Sequence, residues 1–278
     1  MLELARGLRP ADLRALAALE RRCVEADGGR LKLEWGVLNS RSGELEGLLW
    51  REGDRLVGFL GLYAFGAPAV ELVGMVDPAA RRRGIATALL DAARALCRDR
   101  GYEQVLLVVS RSSTAGRALA LRRGAQLEHS EHALVLTEPP DNGPADPQVG
   151  VRPATPADAA ILSRLLTKAL GHPHDVTTER SAPDSERRLV VELAGDVVGT
   201  VRVSHDPDGA GVYGFAVDPR VQGRGIGRDV LRRVCGELFR DGAGRVGLEV
   251  AVDNDRALGL YTSIGFVRVT TEDYYALP

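Results

Sequence analysis

Short apolar runs alternate with amphipathic stretches along this chain. In its second half, β-prone apolar residues run from Val212 to Val217 and stop at Asp218-Pro219, because proline has no N–H to donate to a strand ladder. Beyond a glycine-rich loop, apolar residues recur every three or four positions, a spacing typical of a helix with one buried face. These residues are Leu231, Val234, Cys235, Leu238 and Phe239. The pattern therefore predicts a strand, a glycine turn and a helix that ends near Arg240.

The first half has the same succession of elements. A helix is predicted from Pro10, and a β-hairpin over 48–60 has its turn at Gly53-Asp54. A strand over 70–76 follows and stops at Asp77-Pro78. The next predicted helix has one apolar face, formed by Leu89, Leu90, Ala93, Leu96 and Cys97.

The two halves are related by a constant offset. Six turn residues, Gly199, Asp218, Pro219, Gly225, Gly242 and Gly265, each lie 141 positions after Gly58, Asp77, Pro78, Gly84, Gly101 and Gly124. Such self-similarity indicates two copies of one fold. A proline-rich stretch separates the copies and is typical of a semi-rigid linker. We predict an N-terminal domain at 1–138, a linker at 139–149 and a C-terminal domain at 150–278.

Composition and charge narrow the class of protein. With 278 residues, of which 45% are apolar, the chain is long enough for two domains with a core each. Its net charge of −2 argues against a general nucleic-acid binder. Cys23, Cys97 and Cys235 are odd in number and widely spaced, which favours core residues in a reducing, cytoplasmic compartment over disulfides. Without a leader pattern or a run of about 18 apolar residues, we expect no membrane partner.

The loop after Val217 has the chemistry of a phosphate site. Gly223, Gly225 and Gly227 allow close approach of the backbone, and the N-terminus of the following helix attracts anions. Arg224 and Arg228 add positive charge there. The glycine spacing differs from the dinucleotide pattern G-x-G-x-x-G, and no GK[ST] follows, which excludes a nucleotide P-loop.

The spacing that does fit resembles the acyl-CoA motif of the GNAT superfamily of N-acyltransferases, [Q/R]-x-x-G-x-[G/A] directly after V-x-P. A second stretch, 254–266, matches that family's N-x-x-A-x-x-L-Y-x-x-x-G-F. The resemblance implies an α/β (α+β) class with two tandem GNAT folds, each a mixed, largely antiparallel sheet flanked by helices. It also implies acetyl-CoA as co-substrate and no metal. His172, His174 and His205 have no metal-ligand spacing.

The resemblance assigns the cofactor contacts residue by residue. The strand end would hold pantetheine and offer an N–H to the thioester oxygen, through Phe215, Ala216 and Val217. The loop would hold the pyrophosphate, through Gln222, Gly223, Arg224, Gly225, Ile226, Gly227 and Arg228. Asn254 would cap the next helix, with or without a contact to pantetheine.

Two side chains are candidates for the chemistry. Tyr261 occupies the position of the family's tyrosine that protonates the CoA sulfur, and a phenol stays protonated at neutral pH; the alternative is a core aromatic residue. Glu249, twelve residues earlier, is similar to the base of ribosomal-protein N-terminal acetyltransferases. The alternative for Glu249 is a solvated strand carboxylate.

The first half lacks these groups. At the constant offset Glu249 corresponds to Val108, Asn254 to Ser113, Tyr261 to Ala120 and Phe266 to Ala125. A second candidate CoA site remains, formed by Met75, Val76, Arg81, Arg82, Arg83, Gly84, Ile85 and Ala86; the alternative is a packed strand-helix turn without a ligand. Glu71 is the carboxylate that would act as a base there, or an ordinary strand residue.

We therefore predict an acetyl-CoA-dependent N-acetyltransferase that acts on a primary amine of a small molecule or peptide through its second half. The tandem arrangement also resembles the mycothiol synthase family, which acetylates a cysteinyl amine, but Gly211 stands where that family has its catalytic glutamate. A CoA-binding regulatory module without turnover is the alternative class, and a nicotinamide oxidoreductase fits the loop spacing poorly. The segment His172-Pro173-His174 belongs to a substrate mouth or to a plain surface loop. The sequence predicts neither the acceptor amine nor the oligomeric state.

Overall fold

The structure is a computed structural model that describes residues 1–39, 46–64, 69–141, 143, 145–170, 176, 186–206 and 209–278. His172 and His174 lie outside these residues. Internal contacts divide the chain into two compact units. Unit 1 comprises Met1–Glu131 and Thr270–Pro278, and unit 2 comprises His132–Val269. The domain limits at 138 and 150 stay a prediction about the sequence repeat.

Unit 1 has the predicted alternation of strands and helices. Its strands are β1 (Leu2–Arg6), β2 (Glu46–Glu52), β3 (Arg55–Tyr63), β4 (Ala69–Val76), β5 (Gln104–Ser110) and the greater part of β6 (Gln126–Leu136). Its helices are α1 (Pro10–Asp27), α2 (Trp35–Asn39), α3 (Ile85–Asp99) and α4 (Thr114–Arg122).

Unit 2 repeats this order. Its strands are β7 (Val149–Pro153), β8 (Glu186–Leu193), β9 (Asp196–Asp206), β10 (Gly209–Val217), β11 (Val246–Ala251) and the beginning of β12 (Val267–Ala276). Its helices are α5 (Ala159–Leu170), α6 (Ile226–Arg240) and α7 (Asp255–Thr262). The sequence predicted the end of α6 correctly. Among the described residues, no helix is both long and apolar enough to traverse a bilayer.

Each unit is completed by a strand from the other half of the sequence. In unit 1 the strand beside β5 is β12, with Glu272 opposite Ser110 and Ala276 opposite Leu106. In unit 2 the strand beside β11 is the C-terminal part of β6, from His132 onward. The α+β class with mixed, mostly antiparallel sheets is thereby confirmed. The exchange of the last strands has no local sequence signal.

Two neighbouring parallel strands separate in each unit. Within the described residues, β4 pairs with β5 only from Ala69 to Leu72, and β10 pairs with β11 only at Ala210 and Gly211. The remaining residues of β4 and β10 keep their pairing on the other edge, with β3 and β9. One edge of the strand that precedes each glycine turn is therefore open towards its parallel neighbour.

β10 contains a bulge that β4 lacks. Tyr213 lies opposite Arg202 and Ala216 opposite Thr200, so three steps on β10 match two on β9. Before the bulge Val212 packs in the core cluster on α6, and after it Phe215 and Val217 pack there instead. The extra residue therefore reverses which side chains face α6.

Candidate functional site

The turn after β10 is anchored by Asp218. Its carboxylate accepts from the backbone N–H of Arg220 at 2.9 Å. The same carboxylate forms ion pairs with the side chains of Arg220 at 2.6 Å and Lys168 at 2.9 Å. These contacts, the Arg220 side-chain bond above all, hold the pKa of Asp218 well below its usual range. The charged carboxylate thus fixes where the loop begins.

The loop itself returns to the strand through Gln222. The Gln222 side chain donates to the carbonyl oxygen of Val217 at 2.7 Å and accepts from the Arg256 guanidinium at 2.6 Å. Gly223 and Gly225 have φ of +80° and +85°, which L side chains rarely adopt. Apart from the neighbouring residues in the chain, no described atom lies within 4 Å of the position that a Cβ would take at either glycine. Glycine is therefore required here for the left-handed backbone conformation and for access of a ligand to the loop, and not for close packing.

The N-terminus of α6 has no side-chain cap. Gly225 is its N-cap, and its first N–H groups have no partner within the helix. Gly227 allows α6 to approach α7 and β10, since a Cβ there would lie 3.2 Å from Leu260 and 3.6 Å from the Phe215 ring. Arg224 is exposed, and Arg228 donates to the Ser263 hydroxyl at 3.2 Å. The arrangement of free N–H groups, positive helix end and arginines fits a pyrophosphate.

Tyr261 lies in the core cluster that joins α6, α7 and β11. Its ring packs edge-on against Phe266 at 6.1 Å, and the residue is 8% exposed. Burial raises the pKa of Tyr261 to about 12, so its phenol is protonated at neutral pH. Asn254 caps α7, since its side chain accepts from the Ala257 N–H at 3.0 Å.

Glu249 and Tyr261 lie on different sides of the unit 2 sheet. Leu248 and Val250 belong to the core cluster on α6, together with Tyr261, so Glu249 between them faces the opposite side. The predicted pair is therefore separated by the opening between β10 and β11. A ligand that passes through that opening would have Glu249 on one side and Tyr261 on the other.

The turn after β4 in unit 1 has nearly the same backbone. Asp77 accepts from the Ala79 N–H at 3.0 Å and is ion-paired with Arg22 and Arg55. Gly84 caps α3 with φ of +82°, as Gly225 caps α6. Arg82 has a φ of +63°, although it is not glycine, and it occupies the position of Gly223.

Two of the three arginines of this turn have acidic partners. Arg81 donates to the Val76 carbonyl at 3.0 Å and forms two bonds to Asp27, at 2.6 and 2.7 Å. Arg83 pairs with Glu52 at 2.7 Å. Much of the positive charge predicted to face a ligand is therefore neutralised within the protein.

A cavity of about 390 Å³ lies beside this turn. Its walls include β4, β5, α3 and α4. Most residues of the second candidate CoA site line this cavity, namely Met75, Val76, Arg81, Arg82, Gly84, Ile85 and Ala86. Arg83 of that candidate site does not line it. The positions of Tyr261 and Phe266 are taken in unit 1 by the buried alanines Ala120 and Ala125, which contribute less volume.

Glu71 belongs to a charged cluster in unit 1. It pairs with Lys32 at 3.2 Å, and Lys32 donates to the Tyr274 hydroxyl at 2.5 Å. Tyr274 in turn donates to Glu131 at 2.6 Å, and the His129 ring stacks on it. Sequence reasoning singled out Glu71 alone, because its partners come from distant parts of the chain.

The bulge changes how the two halves correspond. Gly61 and Arg202 are 141 positions apart, but their cross-strand partners Val73 and Tyr213 are only 140 apart. By the same register Glu71 corresponds to Gly211. Unit 1 thus has a glutamate at the strand position where unit 2 has a glycine.

Comparison with known proteins decides the family. The model of the acetyltransferase (GNAT) family matches residues 13–125 and again residues 161–266. The chain belongs to the GNAT acetyltransferase family. It is an N-acetyltransferase with two copies of the GNAT fold, as the sequence predicted, and its family uses acetyl-CoA.

Relatives that match nearly the whole chain are mycothiol acetyltransferases. The protein from Thermobispora bispora is 30% identical over 289 residues, with 96% of each chain covered. The protein from Streptomyces avermitilis is 30% identical over 299 residues, which cover 99% of this GNAT chain and 94% of the relative.

Solved structures share the tandem architecture. A GCN5-related N-acetyltransferase from Sphaerobacter thermophilus has a TM-score of 0.78 at 22% identity and covers 100% of this chain and 96% of its own. A tandem GNAT protein from the clavulanic acid biosynthesis pathway has a TM-score of 0.69 at 19% identity, with coverage of 99% and 98%. At these identities the likeness concerns the fold.

Proposed function

We propose that this protein transfers the acetyl group of acetyl-CoA to a primary amine of a small molecule or peptide, and that the chemistry takes place in unit 2. The observation that carries the proposal is the turn after β10. Its two left-handed glycines leave the first N–H groups of α6 accessible. A side chain at Gly223 or Gly225 would be strained and would stand in front of those groups.

The open edge of β10 supplies the next part of the site. Phe215, Ala216 and Val217 follow the bulge, and Ala216 and Val217 pair with β9 on one edge. Their other edge faces the opening towards β11, where backbone groups would bind pantetheine and donate one N–H to the thioester oxygen. Such a fixed donor stabilises the charge that develops on that oxygen.

Proton transfer falls to two residues on either side of this opening. Glu249 would accept a proton from the amine, directly or through water, because only an uncharged amine attacks. Tyr261 would donate a proton to the departing sulfur, and its burial keeps that proton in place at neutral pH. Bound acetyl-CoA supplies the thioester carbonyl that receives the amine.

The test is acetyl-CoA-dependent release of CoA over a panel of amines that includes polyamines, aminoglycosides, amino acids, peptides and a cysteinyl amino sugar. We expect turnover on one class and about a 100-fold lower kcat in Tyr261→Phe, the usual contribution of a general acid. Tyr102→Phe makes the same change in unit 1 and should retain activity. Equal kcat in both variants would remove Tyr261 from the mechanism, and silence across the panel would favour a CoA-binding module.

The mycothiol acetyltransferase relatives favour a second candidate, acetylation of a cysteinyl amine. Gly211 argues against a straightforward transfer of that mechanism, because it offers no side chain as a base. In unit 1 the cavity beside Gly84 favours a second CoA site. We assign that site to binding without turnover, since Ala120 replaces the acid.

A further inference from the structure

Polar side chains form a row across one side of the unit 2 sheet. Arg188 on β8 lies opposite Arg202 on β9, and Arg202 lies opposite Tyr213 on β10. Facing pairs share a side of the sheet, and this side is turned away from the α6 core cluster that contains Val201 and Val203. Glu249 on β11 faces the same way. We call Arg188, Arg202, Tyr213 and Glu249 the polar row.

Arg202 presents its guanidinium edge to the bulge. Its Nη1 donates to Glu186 at 3.2 Å. Its Nε and Nη2 atoms lie 3.5 and 4.0 Å from the position that a Cβ would take at Gly214. The Nε–Nη2 edge is one of the forks by which arginine binds a carboxylate or phosphate through two parallel hydrogen bonds. That edge is directed at a residue without a side chain.

Gly214 is the extra residue of the bulge and has a φ of +52°. It is exposed, and it directly precedes the strand segment to which we assign the thioester contacts. The described part of unit 1 has no such bulge, because β3 and β4 pair without a register shift. The guanidinium of Arg202, from β9, thus lies beside Gly214 on β10. The proposed reaction centre begins at the next residue of β10.

Ser204 adds a polar group on the same side of the sheet. The Ser204 hydroxyl is buried and has no hydrogen-bond partner within the part of the chain that the structure describes. Ser204 lies opposite Gly211, over which the Tyr213 ring is folded. A buried unpaired hydroxyl is uncommon and calls for a partner.

We infer that the acceptor amine of unit 2 carries an anionic group, a carboxylate or phosphate, and that Arg202 binds this group beside Gly214. The inference rests on the proposed function and specifies its substrate class. The amino group faces Glu249 at the other end of the polar row. The Arg202 guanidinium reaches from β9 to Gly214 on β10, where its Nε lies 3.5 Å from the Cβ position. The acceptor therefore has to span only the opening between β10 and Glu249 on β11, and a small amino acid or aminoalkyl phosphate suits that span.

The experiment uses amines in matched pairs: β-alanine with its neutral amide, and O-phosphoethanolamine with ethanolamine. For the wild type we expect kcat/KM at least about tenfold higher for the anionic member, the size of one charge-assisted contact. Arg202→Gln should abolish that preference by raising KM, while Arg202→Lys keeps part of it. Arg187→Gln is the control, because Arg187 lies on the same strand as Arg188 and pairs with Asp241 instead.

Calorimetry separates this inference from the proposed function. O-phosphoethanolamine is titrated into the full chain in the presence of CoA, and we expect Arg202→Gln to weaken its binding at least about tenfold. Binding that depends on Arg202 without acetylation would support the anion site and refute the transferase reaction at it. Equal binding to wild type and Arg202→Gln, or no preference for the anionic amines, would overturn the inference.

Discussion

The turns after β4 and β10 have almost the same backbone and very different surroundings. Both begin with a capping aspartate and end at a left-handed glycine before a helix of 15 residues. In unit 1 Arg81 and Arg83 are occupied by Asp27 and Glu52, and a cavity lies beside the turn. In unit 2 the turn adjoins a bulged strand and a buried tyrosine. The backbone of the turn is therefore common to both copies of the fold, whereas the residues around it determine what chemistry each copy can support.

The largest expected effect comes from Gly225→Glu, which adds a strained side chain and a negative charge at the N-terminus of α6. We expect acetyl-CoA affinity at unit 2 to fall about 100-fold or more, because several charge-assisted bonds are lost. Calorimetric stoichiometry and affinity are the measurements, with Gly84→Glu as the equivalent change in unit 1.

Gly236→Glu is the control for the added charge, since Gly236 lies further along α6 and, outside its own helix backbone, no atom of the described residues lies within 4 Å of its Cβ position. It should bind acetyl-CoA as the wild type does. If Gly225→Glu retained the wild-type stoichiometry and affinity, the turn of unit 2 would not be the CoA site. A change confined to Gly84→Glu would assign CoA binding to unit 1.

A smaller effect is expected from Asp218→Ala and Asp77→Ala, which remove the carboxylate that fixes each turn. Loss of such a cap costs about 1–2 kcal/mol in the free energy of unfolding. Burial alone would raise the pKa of Asp77, but the Ala79 N–H and two arginines lower it, and the pKa of Asp218 is lowered as well.

The direction of both pKa shifts sets the pH dependence. A carboxylate with a lowered folded pKa stabilises the protein above its unfolded pKa of about 3.9, and this stabilisation is lost as the pH falls towards the folded pKa. Denaturant unfolding at pH 7 and pH 3 should therefore show a smaller deficit of each variant at pH 3. A deficit that grew on acidification would contradict the assignment.

The smallest effect is expected from Arg82→Gly, which gives unit 1 the glycine that unit 2 has at position 223. The left-handed φ of Arg82 costs about 1 kcal/mol, and the greater freedom of glycine in the unfolded chain offsets part of it. We expect a gain of about 0.5 kcal/mol in thermal unfolding. A clear loss of stability would mean that the Arg82 side chain makes a contact worth more than the strain.

The local pattern was sufficient for the elements that surround these turns. α6 begins at the glycines and ends at Arg240, as the apolar period of its side chains predicts. The cap of Asn254 follows from its residue type and position alone. Such features depend on neighbours a few residues away, which the sequence displays directly.

Other features depend on residues that the sequence places far apart. Lys32 meets Tyr274 across 242 positions, and no local pattern near either residue predicts this contact. The bulge at Gly214 shifts the register by one residue, so a constant offset misaligned Glu71 and Gly211 although every turn glycine agreed. The direction of the Arg202 guanidinium is likewise a consequence of strand pairing, which no local period encodes.

The exchanged strands fix an order of events during synthesis. Unit 2 ends at Val269, so all its residues have left the ribosome before Thr270, the first residue of the last strand of unit 1. Domains usually fold from the N-terminus as they emerge. Here the first unit to be translated is the last to be completed. β5 pairs with β4 on one edge, but its partner on the other edge, β12, is made only after roughly 160 further residues.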